Sequence, residues 1–199
     1  LANIKRPDII RKKKNKQINT NFSKMAIYLK NSFLSFYLVL VSFPIMSSNI
    51  IVPNEEILGK PFPLPYERID LSENDLRNFI DKTINNNKQP VVIFGANWCP
   101  DCRILSAVLD LQTVNKYMED NFEILYIDLG RYDINMSLME FFDIMPQQGI
   151  PRVVILNKDK EVLNMKDTGE WTTARSRTKQ EIFNYCLLYT SDAADDRIG

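Results

Sequence analysis

The sequence predicts a domain of the α/β class, in which helices cover a central sheet. Residues 91–96 form a run that is apolar on both faces, as in a strand with neighbours on both sides. A second apolar run, residues 122–129, reads as another strand. Apolar residues recur at helical spacing in residues 76–84 and 104–109, so strands and helices alternate along the chain.

Length and composition indicate one folded domain with additional segments. The chain has 199 residues, of which 45% are hydrophobic, enough for one ordinary core. The formal net charge is zero, but residues 1–48 hold nine basic residues and one acidic residue, which leaves residues 49–199 with a net charge of about −8. An acidic folded part argues against a nucleic-acid partner.

The chemistry open to this chain is narrowed by the absence of histidine. Catalysis by a Ser-His or Cys-His pair is excluded, as is a metal centre with histidine ligands. Proton transfer is left to carboxylates, water or thiols. Of the three cysteines, Cys99 and Cys102 form a closely spaced pair, and Cys186 stands alone.

Residues 1–24 are basic, rich in asparagine and without an apolar period, which is typical of a disordered segment. A basic arm that binds an anionic surface is the functional alternative. Because the chain does not open with methionine and Met25 begins a more regular sequence, we interpret residues 1–24 as translated upstream sequence.

Residues 25–48 have the pattern of an export signal, with Lys30 before a fourteen-residue apolar stretch at residues 33–46 and two serines after it. This stretch is shorter than the roughly 20 residues of a spanning helix. We therefore expect an exported, periplasmic protein. An uncleaved membrane anchor formed by residues 33–46 and a buried core helix are the alternatives.

The elements of the domain follow from residue 49. Residues 49–65, with four prolines, predict an extended linker packed loosely on the domain. We expect a first strand at residues 66–71 and then a helix capped by Ser72 with Asp75. The inner face of that helix carries Leu76, Phe79, Ile80 and Ile84.

After the central strand 91–96, the pattern predicts a helix over residues 99–109 with a helical continuation to Asn121. The second central strand is expected at residues 122–129. A polar loop over 130–135 and a short helix over 136–144 follow it. Residues 152–156 and 161–165 predict a hairpin. Thr172 or Thr173 could cap a last helix, whose inner side carries Ile182, Phe183 and Tyr185.

Residues 186–199 do not continue the helical pattern. They resemble translated adapter sequence, in which case Cys186 has no part in the chemistry. A frayed acidic terminus is the alternative. The domain is therefore placed at residues 66–185.

The run that ends at residue 96 leads directly into Trp98, Cys99, Pro100, Asp101 and Cys102. This order places Cys99 at the N-terminus of a helix, where unpaired N–H groups and the helix dipole favour a thiolate. A thiolate is the form that attacks a disulfide, so Cys99 is the expected nucleophile. Cys102, one turn further along, can resolve a mixed disulfide.

The motif Trp98-Cys99-Pro100-Asp101-Cys102 resembles the active site of the thioredoxin superfamily, in particular of its exported members. Gly149-Ile150-Pro151, followed by a strand, is similar to the cis-proline loop of that family. The resemblance covers residues 66–185 and implies a thioredoxin fold with a central mixed sheet. It implies thiol–disulfide exchange with protein or peptide thiols and disulfides, a redox partner that recharges the dithiol, no cofactor and no metal. We expect a monomer.

The resemblance also assigns roles to single residues. Trp98 would shield the cysteines and contact substrates, with a place in the core as the alternative. Pro151 would follow a cis peptide bond, against an ordinary trans turn, and the backbone of Ile150 would pair with an extended substrate.

Pro100 and Asp101 would tune the redox potential. The carboxylate of Asp101 suits the helix dipole but repels a thiolate, and a solvated acid is the alternative. The sequence departs from many thioredoxins at Ile93, where those proteins carry a buried acid.

Two rival functions remain open. The cysteine pair could hold half of a zinc site, but without histidine or a second cysteine pair only a site that bridges two copies would be complete. A non-catalytic module that holds extended peptides in the thioredoxin groove is the other rival.

Overall fold

The computed structural model describes residues 50–145 and 149–190. The predictions for residues 1–24, for the export signal or anchor at residues 25–48 and for the end of the tail at residues 191–199 lie outside the described residues. Among the helices that the structure describes, none combines the length and the apolar character needed to cross a membrane.

The described elements are α1 (Glu73–Asn85), β1 (Gln89–Gly95), α2 (Pro100–Leu109), α3 (Gln112–Asn121), β2 (Phe122–Asp128), α4 (Met136–Glu140), β3 (Arg152–Ile155), a 3-10 helix (Glu170–Ser176) and α5 (Lys179–Leu188). The strand order is β2-β1-β3. Strand β1 is parallel to β2 and antiparallel to β3. The predicted mixed sheet, flanked by helices, is confirmed.

Strand β1 is buried along its whole length, because β2 and β3 cover its two edges and helices cover its faces. Gly95 lies opposite Asp128 of β2, and Phe94 lies opposite Arg152 of β3. The end of β1 therefore lies beside the segment that precedes β3. This register brings residues 99 and 150 together, although they are far apart in the sequence.

Helix α1 begins as predicted. Ser72 accepts a hydrogen bond from the N–H of Asp75, and the Asp75 carboxylate accepts one from the N–H of Ser72, which completes a capping box. Leu76 and Ile80 are buried against the sheet.

The strand predicted at residues 66–71 is wrong. Side-chain amides, rather than a neighbouring strand, satisfy the backbone of this extended segment. Asn97 bonds both the N–H and the carbonyl of Tyr66, and Asn135 accepts from the N–H of Leu71. Among the described strands, β2 therefore pairs with β1 alone and is an edge strand, not the central strand that we expected.

Of the hairpin predicted at residues 152–156 and 161–165, the first strand is confirmed and the second is wrong. Beyond β3, one bridge joins Leu156 to Val162. The Asn164 amide takes the place of a strand backbone, because it accepts from the N–H of Ile155 and donates to the carbonyl of Val153, at 2.9 and 2.7 Å. The residues from 163 onward, which were expected to continue the second strand, form turns instead.

The last helix begins later than expected. Thr172 and Thr173 lie within the 3-10 helix and donate to carbonyls of their own turn. Thr178 caps α5 in a capping box with Glu181. Ile182, Phe183 and Tyr185 are buried, as predicted. The helix runs through Cys186 to Leu188, past the boundary that we placed at residue 185.

The other predicted helices are confirmed with different bounds. The helical continuation to Asn121 is a separate helix, since the chain bends between α2 and α3 at Asp110 and Leu111. The helix predicted over residues 136–144 ends at Glu140, and Asp143 has a φ of 54° that no helix accommodates.

The segment of residues 50–65 is not loosely packed. Val52 is buried, and the Lys179 ammonium donates to the carbonyls of Pro53, Asn54 and Glu56. The Glu56 carboxylate accepts from the N–H of Thr113 in the first turn of α3, where no residue of the helix itself supplies a side-chain cap. These contacts make the segment part of the folded domain.

Candidate active site

Cys99 lies between β1 and α2, where it is the N-cap residue of the helix. Its Sγ accepts a hydrogen bond from the N–H of Cys102, with the two atoms 3.3 Å apart. Pro100 takes the first helical position, where its missing N–H costs no hydrogen bond. The predicted place of Cys99 at the N-terminus of the helix is confirmed.

The pKa of the Cys99 thiol is lowered to about 7. The hydrogen bond from the Cys102 side chain is the largest cause, and the N–H groups of Cys102 and Asp101 add to it. Burial and the negative charge of Asp101 raise this pKa and oppose the shift. A free thiol has a pKa of about 8.5, so Cys99 has a larger thiolate fraction at neutral pH.

Cys102 lies one turn further along α2 and is 0% exposed. Burial strongly raises the pKa of its thiol, and the hydrogen bond and charge of Cys99 raise it further. The N–H of Ala96 and the hydroxyl of Tyr66 act in the opposite direction. Of the two thiols, Cys99 therefore ionises first and Cys102 stays protonated.

Asp101 is buried, at 5% exposure, so the interpretation of this residue as a solvated acid is wrong. Its Oδ1 accepts hydrogen bonds from the main-chain N–H and the Nε of Arg175, at 2.8 and 3.1 Å. The 3-10 helix that carries Arg175 packs against α2, which removes Asp101 from solvent. The same carboxylate raises the pKa of Cys99.

Trp98 is 45% exposed, so its interpretation as a core residue is wrong. The indole Nε1–H donates to the carbonyl of Gly130 at 2.6 Å. The Arg131 guanidinium lies 5.5 Å from the ring centroid, and the Tyr132 ring packs edge-on at 6.0 Å. These contacts fix the ring beside Cys99 while part of its surface stays exposed to solvent.

The segment before β3 faces the cysteines. The Ile150–Pro151 peptide bond is cis, as the resemblance implied. The carbonyl of Ile150 accepts a hydrogen bond from the Cys99 thiol, with the oxygen and sulfur 3.7 Å apart. Arg152 donates through Nε to the carbonyl of Gly149 at 2.9 Å, which links the two ends of the segment. The structure thus brings Cys99, Cys102, Ile150 and Pro151 together.

This arrangement agrees with the match of residues 80–158 to a protein family described as thioredoxin-like. The chain contains a thioredoxin-like domain.

The thioredoxin-like domain is similar to a crystal structure of a disulphide isomerase from Xylella fastidiosa Temecula1, with 32% identity and a TM-score of 0.56. The similarity covers 62% of this chain and 94% of the Xylella chain. The chain is also 30% identical over 101 residues to nucleoredoxin from Homo sapiens. That match covers 40% of this chain, and the chain spans 22% of nucleoredoxin. These similarities support a thiol oxidoreductase in general.

Two residues of the site were missed in the sequence, Tyr66 and Arg175. Neither lies near the cysteines in the chain, and Arg175 has no local signal. Tyr66 had one, because Gly95 interrupts an otherwise apolar strand just before the motif. A glycine inside a strand often marks a close approach. A Cβ on Gly95 would clash with the Tyr66 hydroxyl oxygen.

Proposed function

We propose that the thioredoxin-like domain exchanges disulfides with protein substrates through the Cys99–Cys102 dithiol. One observation carries the proposal: Cys99 Sγ accepts an N–H bond at the start of α2 and lies 3.7 Å from the Ile150 carbonyl. A stabilised thiolate beside a backbone segment with which an extended peptide can pair is the arrangement that attack on a peptide-borne disulfide requires.

The reaction proceeds in two displacements. The Cys99 thiolate attacks one sulfur of the substrate disulfide, the substrate S–S bond breaks, and the other substrate sulfur leaves as a thiolate. Cys102 then loses its proton and attacks Cys99 Sγ. The Cys99–Cys102 disulfide forms, and the second substrate sulfur leaves and takes up a proton. The substrate gains two electrons from the dithiol. A redox partner of the dithiol class then reduces the Cys99–Cys102 disulfide again. The reverse sequence of steps oxidises a substrate.

Substrate recognition follows from the groups around Cys99. An extended peptide can pair with the backbone of Ile150, while the exposed face of Trp98 offers an apolar contact. Pro100 and Asp101 tune the reactivity of Cys99. Pro100 takes the first position of helix α2, directly after Cys99, and the charge of Asp101 raises the pKa of the Cys99 thiol.

The experiment compares the parent protein with Cys99→Ser, Cys102→Ser and, as a matched control, Cys186→Ser in insulin reduction and dithiol oxidation. We expect Cys99→Ser to lose both activities and Cys102→Ser to accumulate a mixed disulfide with substrate. Cys186→Ser should retain both activities, since Cys186 lies in helix α5 and outside the cysteine motif. Activity that survives Cys99→Ser would contradict the proposal.

Affinity for extended peptides distinguishes the oxidoreductase from the peptide-holding module. A holder binds a cysteine-free extended peptide equally well in the parent and in Cys99→Ser, and it turns over no disulfide. The oxidoreductase turns over a disulfide-bonded peptide. Turnover that depends on Cys99 supports the exchange reaction, and unchanged peptide binding without any turnover supports the holder.

We also propose that residues 25–48 direct export to the periplasm. The support is the sequence pattern of Lys30 and the apolar stretch at residues 33–46. Cell fractionation of a protein that begins at Met25 tests this. Recovery in the periplasm supports export, recovery in the membrane supports the anchor, and recovery in the cytoplasm contradicts both.

A further inference from the structure

We propose that the Tyr66 hydroxyl donates a hydrogen bond to the Cys102 sulfur when Cys102 becomes a thiolate and resolves the mixed disulfide. This inference rests on the proposed exchange reaction and assigns one of its steps to a residue outside the cysteine motif. Tyr66 lies before α1, more than thirty residues away from Cys102 in the sequence.

The step needs such a donor because Cys102 is fully buried. A thiolate without a compensating hydrogen bond is costly in an apolar site. Ile93, which lies on β1 six residues before Cys99, is buried and offers neither charge nor hydrogen bond. The N–H of Ala96 and the Tyr66 hydroxyl are the groups that favour the charged form of Cys102.

Tyr66 is held firmly enough to serve as this donor. The Asn97 side chain accepts a hydrogen bond from the N–H of Tyr66 at 3.2 Å and donates one to the carbonyl of Tyr66 at 2.8 Å. Its ring packs edge-on against Tyr126, with centroids 5.4 Å apart. Its hydroxyl lies over Gly95, where any larger residue would displace it. Contacts of the Tyr66 backbone, ring and hydroxyl therefore hold the residue in place.

The hydroxyl is buried and, among the described residues, has no partner in hydrogen-bonding geometry when both cysteines are thiols. It nevertheless lies close enough to Cys102 to lower the pKa of that thiol. A buried donor that is unsatisfied in the dithiol gains its partner when Cys102 ionises. The resting state therefore leaves this hydrogen bond to be made in the reaction.

Tyr66 acts as a donor and not as a base. Burial, followed by the charges of Cys102 and Tyr126, raises the pKa of Tyr66 well above its ordinary value, so the hydroxyl keeps its proton. In the step, Cys102 loses one proton and the departing substrate sulfur gains one. The Cys99–substrate bond breaks as the Cys99–Cys102 bond forms, and Tyr66 is unchanged at the end.

The titratable groups that face Cys102 come from three parts of the chain. Cys99 lies at the junction of β1 and α2, Tyr66 precedes α1, and Tyr132 follows β2. Burial raises the pKa of Tyr132, and the charges of Cys99 and Cys102 raise it further. Tyr126 of β2 faces Tyr66 from the other side. A pH profile of the resolving step must be compared with variants of these groups.

The test mixes the reduced protein with 5,5′-dithiobis(2-nitrobenzoate) and follows two releases of thionitrobenzoate. The first release reports the attack by Cys99, and the second reports the resolution by Cys102. The variants are Tyr66→Phe and the matched control Tyr126→Phe, which removes a hydroxyl from the other ring of the same pair.

We expect Tyr66→Phe to leave the first release within about twofold of the parent and to slow the second by about tenfold at neutral pH, because a hydrogen bond to a charged group is lost. The pH at which the second release reaches half its maximal rate should rise by about one unit. Tyr126→Phe should leave both releases unchanged. The melting temperature of reduced Tyr66→Phe should equal or exceed that of the parent, because the removed hydroxyl has no partner there.

A second release with the parent's rate and pH dependence in Tyr66→Phe would overturn the proposal. So would a Tyr66→Phe protein that unfolds or melts well below the parent, because the hydroxyl would then be structural. Failure of the exchange reaction itself is a different result, since the parent would then show no first release that depends on Cys99.

Discussion

Asp101 and Arg175 join the first turn of α2 to the 3-10 helix, because the Asp101 Oδ1 accepts from the N–H and the Nε of Arg175 and the Asp101 Oδ2 also lies 3.1 Å from that Nε. The pair is asymmetric, because Asp101 is buried and the Arg175 side chain is 61% exposed. The buried partner lies two residues from Cys99 and raises the pKa of its thiol. We therefore expect Asp101, the second residue of the dipeptide between the cysteines, to tune the reactivity of Cys99 from a buried position.

Substitution Asp101→Asn should lower the pKa of Cys99. The charge that raises this pKa is removed, while the amide oxygen can still accept from the N–H of Arg175. The rate of iodoacetamide alkylation against pH measures the change, and its midpoint should move below the parent's. Asp110→Asn is the control, since it makes the same charge change at the other end of α2. An upward shift of the alkylation midpoint in Asp101→Asn would contradict this prediction. It would show that the Asp101 carboxylate affects Cys99 through its contacts with Arg175 rather than through its charge.

Residues 50–65 should stabilise the domain. A protein that begins at Tyr66 loses the burial of Val52 and the hydrogen bonds of Lys179 to three carbonyls. Burial of one valine is worth about 1.5–3 kcal/mol, so we expect a loss of at least about 2 kcal/mol in the free energy of unfolding. Urea denaturation measures the difference from a protein that begins at Ile50. Equal midpoints would show that the segment is a dispensable linker.

Thr178→Ala should cost about 1 kcal/mol, because it removes the side-chain cap of α5. Thr173→Ala is the matched control, since Thr173 lies in the preceding 3-10 helix and caps nothing. Thermal unfolding of both variants checks the result. A larger loss in Thr173→Ala than in Thr178→Ala would reverse the assignment of the cap.

The sequence predicted what is encoded locally. The run 91–96 and the motif from Trp98 to Cys102 place a thiol at a strand-to-helix junction, and neighbouring residues suffice for that inference. The capping box of Ser72 with Asp75 is equally local. The cis bond before Pro151 came from resemblance, since nothing in the residues themselves requires it.

The two wrong strand predictions, at residues 66–71 and 161–165, share one physical cause, which is the use of side chains where a backbone partner was expected. Asn97, Asn135 and Asn164 bond extended chain that would otherwise need a neighbouring strand. An asparagine gives no sign in the sequence of which distant backbone it will bond. Arg175, which reaches the cysteine motif from a distant segment, likewise gives no sign of its partner. Gly95 indicates a close approach at the end of β1, but it does not indicate that Tyr66 is the residue that approaches.

The titration of Cys99 shows whether its thiol is activated as a nucleophile. The rate of alkylation of Cys99 by iodoacetamide is measured from pH 4 to 10 in the reduced protein, with Cys99→Ser as the blank. We expect a midpoint near the pKa of about 7 and an upward shift in Cys102→Ala, which removes the largest cause of the lowered pKa. A midpoint at or above the free-thiol value of about 8.5 would contradict an activated nucleophile at this site.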